Sequence, residues 1–216
     1  MPEPIIVVGA GGFGREAIDV IRALGSDYEL LGVVDGGPSA VNLERLDALG
    51  VDYLGTEDDW LASGRTASYV VGIGSPRVRA LVAARLDAVG MTAAVIVHPR
   101  AGVGSAATIG AGSVICAGSQ VSTNVTLGRH VHLNPNSTVG HDTVIGDFVS
   151  LNPGSIVSGD CVIGPGTLVG AGAVVLQQLT VGESSVIGAA ACLTRDLGPG
   201  LTVVGVPARP VAEEKS

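Results

Sequence analysis

The chain has 216 residues and a net charge of −8, with no basic footprint of the kind that nucleic acid or an anionic membrane surface requires. It is 46% hydrophobic with 33 glycines and only 3% aromatic residues, which suits one or two small domains packed through branched aliphatics. No apolar run approaches membrane-spanning length, no charged leader opens the chain, and the three cysteines form no C-x-x-C, so a cytoplasmic protein with reduced thiols is expected.

Residues 1–96 alternate strand and helix signals. Ile5 to Val8 reads as a strand, Gly9-Ala10-Gly11-Gly12-Phe13-Gly14 as a glycine turn, and Glu16 to Leu24 as an amphipathic helix stopped at Gly25. A second strand, Leu30 to Val34, ends at Asp35. Helices near 42–49 and 76–89 then alternate with strands near 69–73 and 93–97. The order predicts a small α/β, Rossmann-like domain with a parallel sheet.

Gly9, Gly11 and Gly14 satisfy G-x-G-x-x-G between a strand and a helix, with an acid about twenty residues on. Such a loop lets backbone approach a diphosphate at a helix N-terminus, while Asp35 can accept from a ribose or sugar hydroxyl. Gly9, Gly11, Gly12, Phe13, Gly14 and Asp35 are therefore candidate substrate-binding residues, and Ser75 joins them by its place at a strand end. The plain alternative is a glycine turn that serves only close helix-to-sheet packing. A dinucleotide dehydrogenase is disfavoured, because about 96 residues supply only half of a doubly wound dinucleotide domain.

From Val97 to Leu193 every sixth residue is a branched aliphatic, seventeen in an unbroken run. Gly follows it at 104, 110, 128, 140, 146, 164, 170, 182 and 188, and Asn at 134 and 152; both tolerate a left-handed backbone, so a corner is expected there. Four residues after the aliphatic come small side chains such as Ser119, Ser137, Thr143, Cys161 and Ala173. One large and one small inward position per short strand describe a triangular parallel β-helix over residues 97–216, about 27 Å long at a strand spacing of roughly 4.8 Å.

Hexads of this form resemble the left-handed β-helix of hexapeptide-repeat acyltransferases, from Val97 to Gly205-Val206-Pro207-Ala208. With its short βαβ domain, the whole chain resembles the sugar O- or N-acyltransferases of the sialic acid acetyltransferase type. The resemblance implies acetyl-coenzyme A as co-substrate, a sugar or uridine diphosphate amino sugar in the N-terminal domain, no metal, and a homotrimer with active sites between prisms. Val139-Gly140-His141-Asp142-Thr143-Val144-Ile145-Gly146 matches the family's catalytic segment, implying His141 as base and Asp142 as its orienting acid. Imidazole as a class suits that work at neutral pH.

Coil stacking places residues 18 apart over one another, so His141 lies between Thr123 and Gly159, and Gly159 becomes the candidate oxyanion donor. The second histidine that many members carry is Ser150 here; His132, one coil below, is a candidate substitute, with a solvent-facing idle side chain as the alternative. Smooth coils around Gly170, Ala171 and Ala189, with Ser150 and Arg209, are expected along the coenzyme A arm. No three histidines are spaced for a zinc-type carbonic anhydrase site. The resulting expectation is N-acetylation of a nucleotide-linked amino sugar. Its alternatives are O-acetylation of sialic acid or another sugar, and a catalytically silent sugar-nucleotide-binding trimer.

Overall fold

The computed structural model describes residues 1–211. Its internal contacts divide the chain into two units, one of residues 1–99 with 111–114, the other of residues 100–110 with 115 onward.

In the first unit, β1 (Glu3–Val8), α1 (Gly12–Ala23), β2 (Tyr28–Val34), α2 (Ala40–Ala48), α3 (Glu57–Ala62), β3 (Ser68–Val71) and α4 (Pro76–Ala88) follow in order. The sheet is parallel, with strand order β2-β1-β3. Its central strand is an uninterrupted apolar run because both of its faces are covered, and Ile5 to Val8 are fully buried. Helix α1 buries Ala17, Ile18, Val20 and Ile21 on one face.

Three sequence expectations change. Helix α1 begins at Gly12 rather than near Glu16, so Gly12, Phe13 and Gly14 form its first turn. Helix α3 was not expected, because six residues are too few to show a helical period. Its signal was the capping box: Thr56 Oγ1 accepts from Asp59 N while Asp59 Oδ2 accepts from Thr56 N. Of the expected strand at 93–97, only Ile96–Val97 is extended, with Ala93 bridging to Tyr69.

The second unit is a parallel β-helix of two-residue strands paired in 18-residue register, as in Thr138↔Ile156 and Val144↔Val162. Two faces carry six and five strands. The third runs from Arg209–Pro210 and Thr202–Val204 through Val186–Ile187, Leu168–Val169 and Ser150–Leu151 to His132–Leu133. The repeating aliphatics Leu133, Val139, Leu151, Val157 and Val169 fill the axis with no exposure at all.

Several of the small inward hydroxyls carry a second duty; Ser155 Oγ, also buried, makes no hydrogen bond among the described residues. Ser119 Oγ donates to Asn134 O at 3.0 Å, Thr143 Oγ1 to Ser158 O at 3.0 Å and Thr167 Oγ1 to Gly182 O at 3.1 Å, each satisfying a corner carbonyl of the next coil. Cys161 fits the same pattern, its thiol 3.2 Å from Leu176 O, and burial pushes its pKa up.

The corner assignment needs correction. Left-handed backbone falls three residues after the aliphatic, at Asn124, His130, Asn136, Asp142, Phe148 and Asp160 among others, and the glycines directly after the aliphatic do not have positive φ. Those glycines serve coil stacking: a Cβ on Gly104 would stand 2.6 Å from Ser122 C, and one on Gly140 2.5 Å from Ser158 C. The Asn134 side chain likewise bonds across coils, donating to Leu151 O at 3.0 Å rather than to Asn152. Gly140→Ala is thus expected to destabilise by about 3 kcal/mol or more. Gly172→Ala, at φ 65° with open space, should cost only about 1 kcal/mol. Chemical denaturation of the two variants measures the difference, and equal losses would contradict the stacking role.

Candidate active site

At the C-terminal ends of β1, β2 and β3 the first unit has a cleft of about 480 Å³, lined by Gly9, Gly11, Gly12, Phe13 and Asp35 together with Gly37, Ser39, Asn42, Gly72 and Gly74. This is where open parallel sheets bind ligands. Gly9 holds φ 112°, conformationally a glycine position. Asp35 braces the loop: its Oδ2 accepts from Ala10 N at 2.8 Å and its Oδ1 from Gly37 N at 2.8 Å. Helices α2, α3 and α4 are N-capped by Ser39, Thr56 and Ser75, whereas α1, whose first turn lines the cleft, has no side-chain cap. The N-terminus of α1, the positive end of its helix dipole, thus lines the cleft without a side-chain cap.

Two expected residues stand elsewhere. Ser75 is outside the cleft lining and caps α4 by accepting from Val78 N. Gly14 is also outside it, because a Cβ there would overlap Gly9 O; its role is helix-to-loop packing. The second glycine pair, Gly72 and Gly74, was missed, although a G-x-G directly after the third strand was a readable signal. Arg79 was missed without one, since an arginine inside a helical segment reads as surface. Its buried guanidinium donates to Ile73 O at 2.8 Å and Gly74 O at 3.3 Å, fixing the loop after β3. Burial pushes its pKa down to about 9, which leaves it charged at neutral pH.

In the second unit, His141 and Asp142 occupy one corner of the prism, with side chains 63% and 48% exposed. Asp142 takes the left-handed slot at φ 58°, which turns its carboxylate back toward the preceding imidazole. His141 Nδ1 lies 2.6 Å from Asp142 Oδ2, and Asn124 Nδ2 donates to Asp142 Oδ1 at 2.7 Å. The Asn124 bond first, then the His141 bond, hold the Asp142 carboxyl below the usual carboxylate range, so it is ionised and can only accept. The proton between the pair therefore sits on Nδ1, which in a neutral imidazole leaves the lone pair on Nε2. A Cβ on Gly159 would come within 2.7 Å of His141 Cε1 and Nε2, so this edge of the imidazole lies over a residue without a side chain. Among the described residues the Gly159 N–H finds no acceptor.

The residues expected on coenzyme A separate. Ala171 and Ala189 are exposed and stacked one coil apart on another corner, and Arg209 is exposed in the terminal strand pair. Gly170 is buried, and a Cβ on it would meet Ala189 N at 2.5 Å, which makes it a stacking glycine. Ser150 is 2% exposed and pairs in register with His132, itself 1% exposed, so the solvent-facing reading of His132 does not hold. His130, also buried, stacks on Phe148 with centroids 5.2 Å apart.

A glycine-lined cleft at the strand ends of an α/β unit and a hexapeptide prism with a corner His-Asp pair fit the class of β-helix acyltransferases. Residues 4–86 match the PglD N-terminal domain, and residues 142–177 match the bacterial transferase hexapeptide (six repeats). The acetyltransferase domain of PglB from Neisseria gonorrhoeae FA1090 is 32% identical over 97% of this chain and 100% of that one, with a TM-score of 0.85. PerB from Caulobacter crescentus, in complex with CoA and GDP-perosamine, is 26% identical over 97% of each chain, with a TM-score of 0.88. A GDP-perosamine N-acetyltransferase of Escherichia coli O157:H7 is 33% identical over 140 residues, 62% of this chain and 61% of that relative. The chain belongs to the nucleotide-sugar N-acetyltransferase family of left-handed β-helix hexapeptide proteins.

Proposed function

We propose that this protein transfers an acetyl group from acetyl-coenzyme A to the amino group of a nucleotide-linked sugar, with His141 as general base. The observation that carries the reading is the His141–Asp142–Gly159 corner: a tautomer fixed by a carboxylate, an open Nε2, and a backbone N–H beside it at a residue that leaves room for a thioester. Nε2 takes a proton from the sugar amine as its nitrogen attacks the thioester carbon. Asp142 stabilises the imidazolium, and the Gly159 N–H receives the developing oxyanion. Collapse breaks the C–S bond, and the imidazolium proton passes to the departing thiolate.

The cleft around Gly9, Gly11, Gly12 and Asp35 holds the nucleotide, with its diphosphate against the uncapped start of α1. Uridine-linked sugars are the expectation from the sequence, while two relatives are named for or bound to GDP-perosamine, so the choice of base is open to test. Ala171 and Ala189 lie on a different corner from His141, so one coenzyme A arm meets both only where two prisms pack together. This favours a homotrimer built through exposed aliphatics such as Val144, Ile156 and Val162. Thiol release from acetyl-coenzyme A, with guanosine- and uridine-diphosphate amino sugars and free sialic acid as acceptors, tests the reading. Release confined to nucleotide amino sugars is expected; release with sialic acid alone would replace N-transfer by O-transfer.

A further inference from the structure

The left-handed corner slots form a column: Ala106, Asn124, Asp142, Asp160 and Gln178 stack at 18-residue spacing, all with φ between 57° and 63°. Two carboxylates stand one above the other inside it, each drawn toward an amide on its outer side. Asn124 Nδ2 donates to Asp142 Oδ1 at 2.7 Å, and Gln178 Nε2 lies 3.4 Å from Asp160 Oδ2. Only the first of these contacts connects to His141.

The backbone requirement alone does not account for an asparagine at 124. The same conformation is held by Asp160, Gly172 and Ala106 in this chain, so the slot does not demand Asn. What Asn adds is an N–H donor aimed at a carboxylate that is half exposed and otherwise free to turn about its Cβ–Cγ bond. A carboxylate anchored at Oδ1 must present Oδ2 elsewhere, and Oδ2 is the atom 2.6 Å from His141 Nδ1.

We propose that Asn124 is a positioning residue for acetyl transfer: by fixing Asp142 Oδ1 it holds Oδ2 on His141 Nδ1 and keeps the proton there, leaving Nε2 free to act as the base. The proposal rests on the reading of His141 as base. It adds a residue one coil away that acts through the Asp142 carboxylate. Groups that orient a metal-bound histidine change affinity or activity by about 10- to 100-fold when removed, and an effect of the same order is expected here. The lower figure suits a partly exposed pair.

The test compares Asn124→Ala, Asn124→Gly and Asn124→Asp in the full chain, with Gln178→Ala as the control on the other end of the column. Asn124→Ala and Asn124→Gly are expected to lower kcat about tenfold with KM for both substrates within about twofold. Asn124→Asp, which keeps shape and backbone preference but sets an acceptor against a carboxylate, is expected to be at least as damaging. Gln178→Ala should leave kcat unchanged. In an Asp142→Ala background, Asn124→Ala should have no further effect, since the group it acts through is gone. Nitrogen chemical shifts of the His141 imidazole give a readout without turnover: one Nδ1-protonated tautomer in the native protein, a mixture in Asn124→Ala.

A fully active Asn124→Asp beside a weakened Asn124→Ala would show that the slot needs only a corner residue, and would overturn the proposal. Additive losses with Asp142→Ala, or an unchanged tautomer, would overturn it too. An active His141→Ala protein would instead defeat the proposed function, and the tautomer measurement would still report on Asn124 separately.

Discussion

His141→Ala is expected to lower kcat for acetyl transfer by about 10²- to 10⁴-fold while leaving the fold and the binding of both ligands nearly unchanged. The fold is spared because the imidazole is 63% exposed and packs only across the corner, over Gly159. Binding is spared because the base makes its strongest interaction with a proton in flight, which exists only in the transition state. Asp142→Ala should reproduce part of the loss, since Nε2 remains present but the proton is no longer held on Nδ1. Steady-state kinetics with circular dichroism as the folding control checks both. A His141→Ala protein that keeps more than about a tenth of native kcat would remove the base from the mechanism.

Gly14→Ala is expected to destabilise the first unit by about 3–5 kcal/mol and to abolish nucleotide binding with it. A Cβ at Gly14 overlaps Gly9 O, and the contact is reinforced from the other side, where a Cβ on Gly72 would stand 2.5 Å from Gly14 Cα. Backbones from α1, the glycine loop and the residue after β3 meet here, so an added Cβ would have to push α1 off the sheet or disturb the ends of β1 and β3. Gly12→Ala supplies the contrast. Its Cβ meets nothing within 4 Å and its φ is not positive, so stability should hold or rise slightly. Yet Gly12 lines the cleft, so nucleotide affinity should fall. Chemical denaturation and nucleotide titration of the two variants separate the packing glycine from the ligand glycine; equal behaviour in both measurements would contradict the distinction.

The repeat was legible because a β-helix is nearly one-dimensional: each strand meets only its neighbours one coil away, so a single aliphatic column writes the fold into the sequence at fixed spacing. The His141–Asp142 pair was legible through the resemblance of its segment to the family's catalytic one, and the 18-residue period added Gly159 over it. The meaning of the hexad glycines was not. Glycine answers both a positive φ and a lack of room, and only the coordinates show that Gly140 lacks room while the left-handed slot falls to Asp142. Arg79 and the α3 helix escaped because their reasons are tertiary or very short: a buried cation spent on the carbonyls of Ile73 and Gly74, and six residues held by one capping box. The burial of His130 and His132 likewise depends on what lies over a corner and a strand, and hexad position does not record that.

Transfer of an acetyl group to a sugar amine is read from the mass of the acceptor after reaction. Incubation of the native protein with acetyl-coenzyme A and a guanosine- or uridine-diphosphate amino sugar should give an acceptor one acetyl group heavier, with the modification on the amino nitrogen and resistant to mild base. His141→Ala under the same conditions should leave it unmodified. An acceptor acetylated on oxygen, or one acetylated equally well by the variant, would contradict the account.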